Sequence, residues 1–349
     1  MAPALLLQYR TSKEKCTWRL FGAAGNGTTF TGAAWPYAVE QYFHEALLQS
    51  PHRTLDPEEA GGAAGRRLRR RLRAADLFYV PVYASCLMEA VLGYADAPCP
   101  SKVQHGAVMY QEALDWLRTA YPFWNRTQGR DHVWLFTHDE GACWAPTEVY
   151  RNSIVLTHYG VAQRAATDGG AAAAQLPLPP PSSTTRREFN YSVDVLGDER
   201  LPGGWRRLIE GHGCYDASKD LVIPAFRPPA QYHAAMALGG MHRKRDILLL
   251  LRGDMGDSRP KAFSGGLRQE VHSLARDKQW ASKYSIRVGN TREIEGDYSL
   301  LLARSTYCLV LPEDGWVALF EDAVLHGCIP VYVSGGPRDL HAPFASILK

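Results

Sequence analysis

The sequence contains no apolar run of the roughly eighteen residues needed to cross a bilayer. None of its seven cysteines belongs to a Cys-x-x-Cys pair, so a zinc site of the usual spacing is not expected, and the odd count leaves at least one thiol free or paired outside the chain. A net charge of +3 is too small to indicate a nucleic-acid partner. What remains is a globular composition over 349 residues, 46% hydrophobic and 21% charged, which allows two domains.

Two segments interrupt this globular pattern. Six arginines lie between residues 66 and 73, inside a glycine-containing stretch of residues 61–75. One interpretation is a basic helix for acidic glycans, nucleic acid or a membrane surface; the other, which the glycines favour, is a tolerated surface loop. Residues 163–185 are rich in alanine and proline and too poor in large apolar side chains to fold, which predicts a mobile insertion.

Residues 305–334 carry the clearest local pattern of the chain. Two short apolar runs, residues 306–311 and 328–333, flank residues 316–326, whose apolar side chains recur at helical spacing. Strand, helix and strand in so few residues predict one crossover of a parallel sheet. Ligands of such sheets lie beyond the carboxyl ends of the strands, which here means residues 313–315.

The words CLVLPEDGW and FEDAVLHGCIPV in this stretch resemble the donor-binding motif of the exostosin-like glycosyltransferases, particularly those of green algae and plants. The resemblance implies that Asp314 and Gly315 lie beside a nucleotide sugar. It also implies that Asp322, with Glu321 next to it about two turns into the predicted helix, accepts hydrogen bonds from the ribose. The alternative for both acids is a solvated helix face.

Two positions depart from the family pattern. Family members commonly carry arginine where this chain has Leu319 and, in an earlier segment, where it has Gly265. The arginine at the first position would meet the donor diphosphate, and the second position is another missing basic group. Because one charge-assisted hydrogen bond contributes about 1.5–3 kcal/mol, their absence predicts weakened activity. This opens an alternative, in which the chain is a catalytically weak relative that binds glycan or a partner glycosyltransferase.

A second phrase of the same family occupies residues 121–146, and it includes the run His138, Asp139 and Glu140. Residues 133–137 have the character of a buried strand, so this run follows the carboxyl end of a strand, where loops face the interdomain cleft. Sugar transfer needs a group that removes a proton from the acceptor hydroxyl, for which Asp139 is the first choice and His138 the second. The alternative is that these residues cap or brace the loop.

The donor side of the molecule begins at residues 246–251, DILLLL, which predict the first buried strand of a second domain. A turn containing Gly253 follows, and such a turn lets the backbone approach a phosphate. By the resemblance, Arg259 and Arg268 are the basic residues downstream. Arg268, on a helix predicted over residues 266–274, would then point at the diphosphate in bidentate fashion.

The resemblance implies an α/β protein of the GT-B type, in which two Rossmann-like domains face a cleft. The acceptor-side domain would be residues 1–235, and the nucleotide-sugar domain residues 236–349, incomplete at its C-terminal end. The implied reaction inverts the anomeric carbon, uses a UDP-sugar donor and a glycan or glycoprotein acceptor, and needs no bound metal or other cofactor.

The same resemblance places the protein on the lumenal side of the Golgi membrane, in contact with related transferases. No segment of this chain has the character of the N-terminal anchor that is usual in the family. A catalytic-region fragment, an incomplete gene model and a soluble relative are the three explanations. Nucleic acid is not an expected partner.

Overall fold

The computed structural model describes residues 39–52, 75–86, 102–138, 141–162, 208, 212–225, 235–257, 263–313, 316–333, 339–341 and 343. The two predicted insertions, apart from residue 75, lie outside these residues, and so do Asp139, Arg259, Asp314 and Gly315. Within the described part, no helix combines the length and the apolar character needed to cross a membrane.

The first half of the chain builds a parallel sheet with helices packed on it. Its elements are α1 (Val39–Gln49), β1 (Phe78–Val80), α2 (Lys102–Ala120), α3 (Phe123–Thr127), β2 (His132–Phe136), α4 (Thr147–Asn152), β3 (Ile154–Thr157), β4 (Gly160–Ala162) and β5 (Leu221–Val222). The strands lie in the order β1, β2, β3, β5 and every neighbouring pair is parallel. The core lies where α2 packs on the sheet, with Tyr110 stacked on Phe136 at 4.2 Å between ring centroids.

The second half builds another parallel sheet. Its elements are β6 (Ile247–Arg252), α5 (Leu267–Asp277), α6 (Trp280–Tyr284), β7 (Ile286–Gly289), α7 (Tyr298–Arg304), β8 (Ser305–Val310), α8 (Leu319–Leu325) and β9 (Ile329–Tyr332). The strand order is β7, β6, β8, β9, and every neighbouring pair is parallel. The chain thus moves to one side of β6 to form β7 and returns to the other side to form β8. The carboxyl ends of β6 and β8 therefore border the topological switch point.

Local signals end the helices of this second unit. Asp297 caps α7 by accepting the backbone N–H of Leu300 at 2.7 Å. Gly327 follows α8 with a φ of +66°, the left-handed conformation that glycine adopts without strain, which agrees with the predicted helix stop. Leu250, Leu251 and Cys308 are buried in the core beneath these helices.

The two halves together give an α/β fold with two parallel sheets, which agrees with the predicted GT-B-like class. A short antiparallel ribbon also links them, since β4, which follows β3, pairs with β10 (Asp339–His341), which follows β9. The chain passes from the first sheet to the second between Val222 and Ile247. The predicted domain boundary after residue 235 lies in that interval and stays a prediction.

Candidate functional site

The carboxyl ends of the two sheets meet each other. His158 follows β3, and its ring centroid lies 5.4 Å from that of Trp316, which follows β8. Its Nδ1 donates to the carbonyl of Ile223 at 2.9 Å, which fixes the ring against the end of β5. On the other side, the carboxylate of Glu321 on α8 accepts the backbone N–H of Ala225 at 3.5 Å. Since parallel sheets bind ligands at this edge, the loops of both halves are candidates for one site.

The switch point of the second sheet is occupied by a buried arginine. Arg268 projects from α5, and only 1% of its surface is exposed. Its Nε donates to the carbonyl of Pro312 at 3.1 Å, its Nη1 to that of Asp254 at 3.0 Å, and its Nη2 to that of Leu311 at 3.1 Å. Nη2 also lies 2.7 Å from a carboxylate oxygen of Glu313. The guanidinium therefore joins the loop after β6 to the loop after β8.

Gly253 lies against the guanidinium of Arg268. A Cβ built on Gly253 would lie 3.3 Å from Nη1 of Arg268, closer than most side-chain contacts. The absence of a side chain at this position therefore makes room for the guanidinium. Contact of Gly253 or Arg268 with a diphosphate stays a prediction.

Glu321 and Asp322 lie deeper in the molecule than the sequence indicated. The predicted helix start at residue 316 is wrong: α8 begins at Leu319, so both acids belong to its first turn. Trp316 lies outside the helix, and its indole N–H donates to Glu321 at 3.0 Å. The two acids are 7% and 3% exposed, so a solvated helix face is also wrong.

Asp322 differs from Glu321 in its partner. Oδ2 of Asp322 accepts the hydroxyl of Tyr298 on α7 at 3.4 Å. The guanidinium carbon of Arg252, the last residue of β6, lies 5.9 Å from the centroid of the same tyrosine ring. Asp322 thus lies near the carboxyl ends of β6 and β8, the edge at which parallel α/β sheets bind ligands. Its bond to ribose stays a prediction.

On the acceptor side, His138 follows β2 at its carboxyl end, as expected. Its ring is buried and lies edge-on to Trp144 at 6.0 Å between centroids, and its carbonyl accepts the N–H of Gly141 at 2.8 Å. His138 therefore braces the loop in this structure. Asp139 lies outside the described residues, and its role as a base stays a prediction.

Glu40 is a buried acid that the sequence reasoning missed. Its carboxylate accepts the backbone N–H groups of Ser85 at 2.9 Å and Cys86 at 3.0 Å, and the hydroxyl of Thr137 at 3.3 Å. Burial raises its pKa to about 7, against the opposing effect of these bonds. The signal was its position three residues before Phe43, on the apolar face of α1.

Each half of the chain contains a disulfide. Cys143 pairs with Cys214, and Cys308 in β8 pairs with Cys328 immediately before β9. The second bond spans the segment that contains α8. Cys86 is also disulfide-bonded. Among the side chains that the structure describes, no group of histidine, cysteine, aspartate or glutamate is arranged to hold a metal ion.

Comparison with known proteins identifies the family of the chain. The model of the Exostosin GT47 domain matches residues 64–349. The chain is 28% identical over 325 residues to a probable glucuronoxylan glucuronosyltransferase of Arabidopsis thaliana, covering 90% of this chain and 53% of that protein. It is 26% identical over 317 residues to the probable beta-1,4-xylosyltransferase IRX10L of the same plant, covering 89% of this chain and 59% of the relative.

A third relative is the probable glucuronosyltransferase Os03g0107900 of Oryza sativa subsp. japonica, 29% identical over 321 residues, which are 90% of this chain and 58% of that protein. The chain thus spans a little over half the length of these relatives. No solved structure is a significant match. Because the family model covers most of the sequence, the chain belongs to the exostosin GT47 family of glycosyltransferases.

Proposed function

We propose that the protein is an inverting glycosyltransferase that moves a sugar from a uridine diphosphate donor to a glycan acceptor. The observation that carries the proposal is the meeting of the two sheets at their carboxyl ends, through Glu321 to Ala225 and Trp316 to His158. In α/β folds this edge binds ligands. Donor and acceptor held on opposite sides of one edge are in position for direct transfer.

The donor side of the proposal assigns the ribose to Asp322. Its buried carboxylate, already paired with the Tyr298 hydroxyl, can accept the ribose hydroxyls in the same way. The diphosphate would be bound by the segments after β6 and β8, which include Gly253, Asp314 and Gly315, and Arg259 is the proposed cationic ligand. Hydrogen bonds and positive charge at this point stabilise the charge that develops on the leaving diphosphate.

On the acceptor side, Asp139 removes the proton of the attacking hydroxyl, with His138 as the alternative base. The acceptor oxygen forms a bond to the anomeric carbon while the bond from that carbon to the diphosphate oxygen breaks, so the configuration inverts. This scheme assigns no bound metal. In support of Asp139 over His138, the His138 ring is packed against Trp144.

The names of the relatives suggest which sugar is transferred and which acceptor receives it. Because two of them are described as a glucuronoxylan glucuronosyltransferase and a beta-1,4-xylosyltransferase, we infer UDP-glucuronic acid or UDP-xylose as donor and a xylan-like chain as acceptor. The Golgi lumen is the proposed compartment, which the disulfides Cys143–Cys214 and Cys308–Cys328 support because such bonds persist in oxidising compartments. Assembly with related transferases is part of the proposal.

The test is calorimetric titration of the protein with UDP, UDP-glucuronic acid and UDP-xylose, followed by transfer to a xylo-oligosaccharide. Asp322→Asn should weaken UDP binding by about tenfold to a hundredfold, because a hydrogen bond to a charged group contributes about 1.5–3 kcal/mol. Glu295→Gln, which changes an exposed acid of the same domain, is the matched control and should bind as the wild type does. Equal UDP affinity in all three proteins would contradict the ribose assignment.

A second candidate function, a catalytically weak relative that binds glycan or another transferase, is favoured by Leu319. This position, where the resemblance implies an arginine, is 6% exposed and lies in the apolar core of the second sheet. Gly265, the other such position, has open space around it. Binding of xylo-oligosaccharide without any UDP binding or sugar transfer would support this function over the first.

A further inference from the structure

Helix α5 points two polar side chains inward, one turn apart, at the loop edge of the second sheet. Arg268 contacts the loops after β6 and β8, as described above. His272, also buried, places Nε2 at 3.0 Å from both carboxylate oxygens of Glu293, in the loop after β7. Glu293 in turn accepts the N–H of Asn290 at 2.8 Å. Helix α5 therefore contacts the loops that follow three adjacent strands, β7, β6 and β8.

The bonds of Arg268 engage most of its donors. A guanidinium has five N–H groups, and bonds to Pro312, Asp254, Leu311 and Glu313 use four of them. Turning the side chain toward a ligand would remove this donor from three backbone carbonyls, one of them the buried carbonyl of Leu311, which is unfavourable. Lysine carries the same charge, but it lacks the planar fork that reaches several acceptors at once.

We propose that Arg268 is a positioning residue, which joins the loops after β6 and β8 at the switch point so that these loops receive the donor. The inference deepens the proposed function and rests on it for the identity of the donor. It gives Arg268 a different task from that of a diphosphate ligand. Gly253 belongs to the same device, because it leaves the space that the guanidinium fills.

The test compares Arg268→Lys with His272→Gln in the full chain. Both variants remove buried bonds from α5, but only the first removes the link across the switch point. Arg268→Lys should raise the dissociation constants of both uridine and UDP by at least about tenfold and raise the donor KM more than it lowers kcat. His272→Gln should lower the melting temperature to a similar extent and leave both dissociation constants within about twofold.

A second measurement does not depend on donor binding. Amide hydrogen exchange should rise in residues 306–313 of Arg268→Lys and stay unchanged there in His272→Gln. Gly253→Ala provides a milder variant, since its Cβ displaces the guanidinium by only a few tenths of an ångström. It should raise exchange in the same residues, although the substitution lies in the other loop.

The outcomes separate the hypotheses. Loss of UDP affinity in Arg268→Lys with uridine affinity unchanged would make Arg268 a diphosphate ligand and overturn the proposal. Unchanged exchange in residues 306–313 of both Arg268→Lys and Gly253→Ala would overturn it as well. A wild-type protein that binds neither uridine nor UDP would refute the proposed function, and the exchange data alone would then decide whether Arg268 links the two loops.

Discussion

Replacing Glu40 with glutamine tests how one buried carboxylate sets the pH dependence of folding. Glu40 lies on α1 and accepts backbone N–H groups of Ser85 and Cys86 and the hydroxyl of Thr137. It therefore links the segment after β1 to Thr137, which follows β2 and precedes His138. Glutamine has nearly the same shape, but its amide nitrogen faces one of these N–H donors, so one hydrogen bond is lost at every pH.

The size of the pH-dependent change in unfolding free energy follows from the pKa of Glu40. Burial raises that pKa from 4.5 to about 7 in the folded protein. The folded state thus binds the proton more tightly than the unfolded state does. The stabilisation from the bound proton is fully present below pH 4.5 and is lost as the pH rises through 7. At about 1.4 kcal/mol per pKa unit, the ionised carboxylate lowers the unfolding free energy by on the order of 3 kcal/mol once the pH is above about 7.

The assay is urea denaturation of the wild type and Glu40→Gln at several values between about pH 5 and pH 8. The variant should be less stable at the acidic end, and the difference in unfolding free energy should shift in its favour by on the order of 3 kcal/mol at the basic end. Glu45→Gln, on the same helix but exposed, is the control and should show no such shift. A difference that stays constant across the range would refute the raised pKa.

Three further predictions concern the donor side. Replacing Cys308 and Cys328 with serine opens a loop of 20 residues and should cost about 3 kcal/mol of unfolding free energy, measured with urea. Leu319→Arg buries a guanidinium in the apolar core, so it should lower stability by about 3 kcal/mol or more and bring no gain in sugar transfer. Trp316→Phe removes the N–H that Glu321 accepts and should cost about 1–3 kcal/mol in the same denaturation assay.

Each of these predictions has a matched comparison. For the disulfide, Cys308→Ser and Cys328→Ser should each lose as much stability as the double variant, because either change alone removes the bond; unequal losses would show that the serines act through something other than the missing bond. Leu319→Met should lower the unfolding free energy by less than about 1.5 kcal/mol. If Leu319→Arg is as stable as Leu319→Met, the side chain at this position lies outside the core. For Trp316, a double variant with Glu321→Gln should lose little more than the single variants do, and additive losses would contradict the hydrogen bond.

The second sheet was the part of the fold that the sequence predicted best. Its strands are continuous apolar runs with polar or glycine breaks, so β6 was placed within one residue as residues 246–251. The edge strand β1 ends at Val80, because Pro81 has no N–H for the ladder. Helix α2 runs through Gly106, since packing of its buried side chains outweighs the poor helix propensity of that residue.

The candidate site was predicted by residue type but not by orientation. Arg268 was expected to point at a diphosphate, and in the structure it donates to carbonyls, of which those of Leu311 and Pro312 lie 43 and 44 positions later in the chain and that of Asp254 lies 14 positions earlier. Nothing in the local sequence reports that these carbonyls end beneath α5. Glu40 was missed for the same reason, because its partner Thr137 is 97 residues away. The partners of such side chains come from distant parts of the chain, and the periodicity of the sequence does not reveal them.

The adjacent acids Glu321 and Asp322 belong to one motif but make contacts with different parts of the molecule. Successive residues of an α-helix point about 100° apart, so two neighbouring side chains cannot face the same partner. Glu321 therefore reaches Trp316 and, across to the first half of the chain, Ala225, whereas Asp322 faces Tyr298 within the second half. Loss of Glu321 should disturb how the two halves meet, and loss of Asp322 should disturb the donor site alone. Kinetics that report acceptor and donor separately can thus tell apart two residues that the sequence presents as one pair.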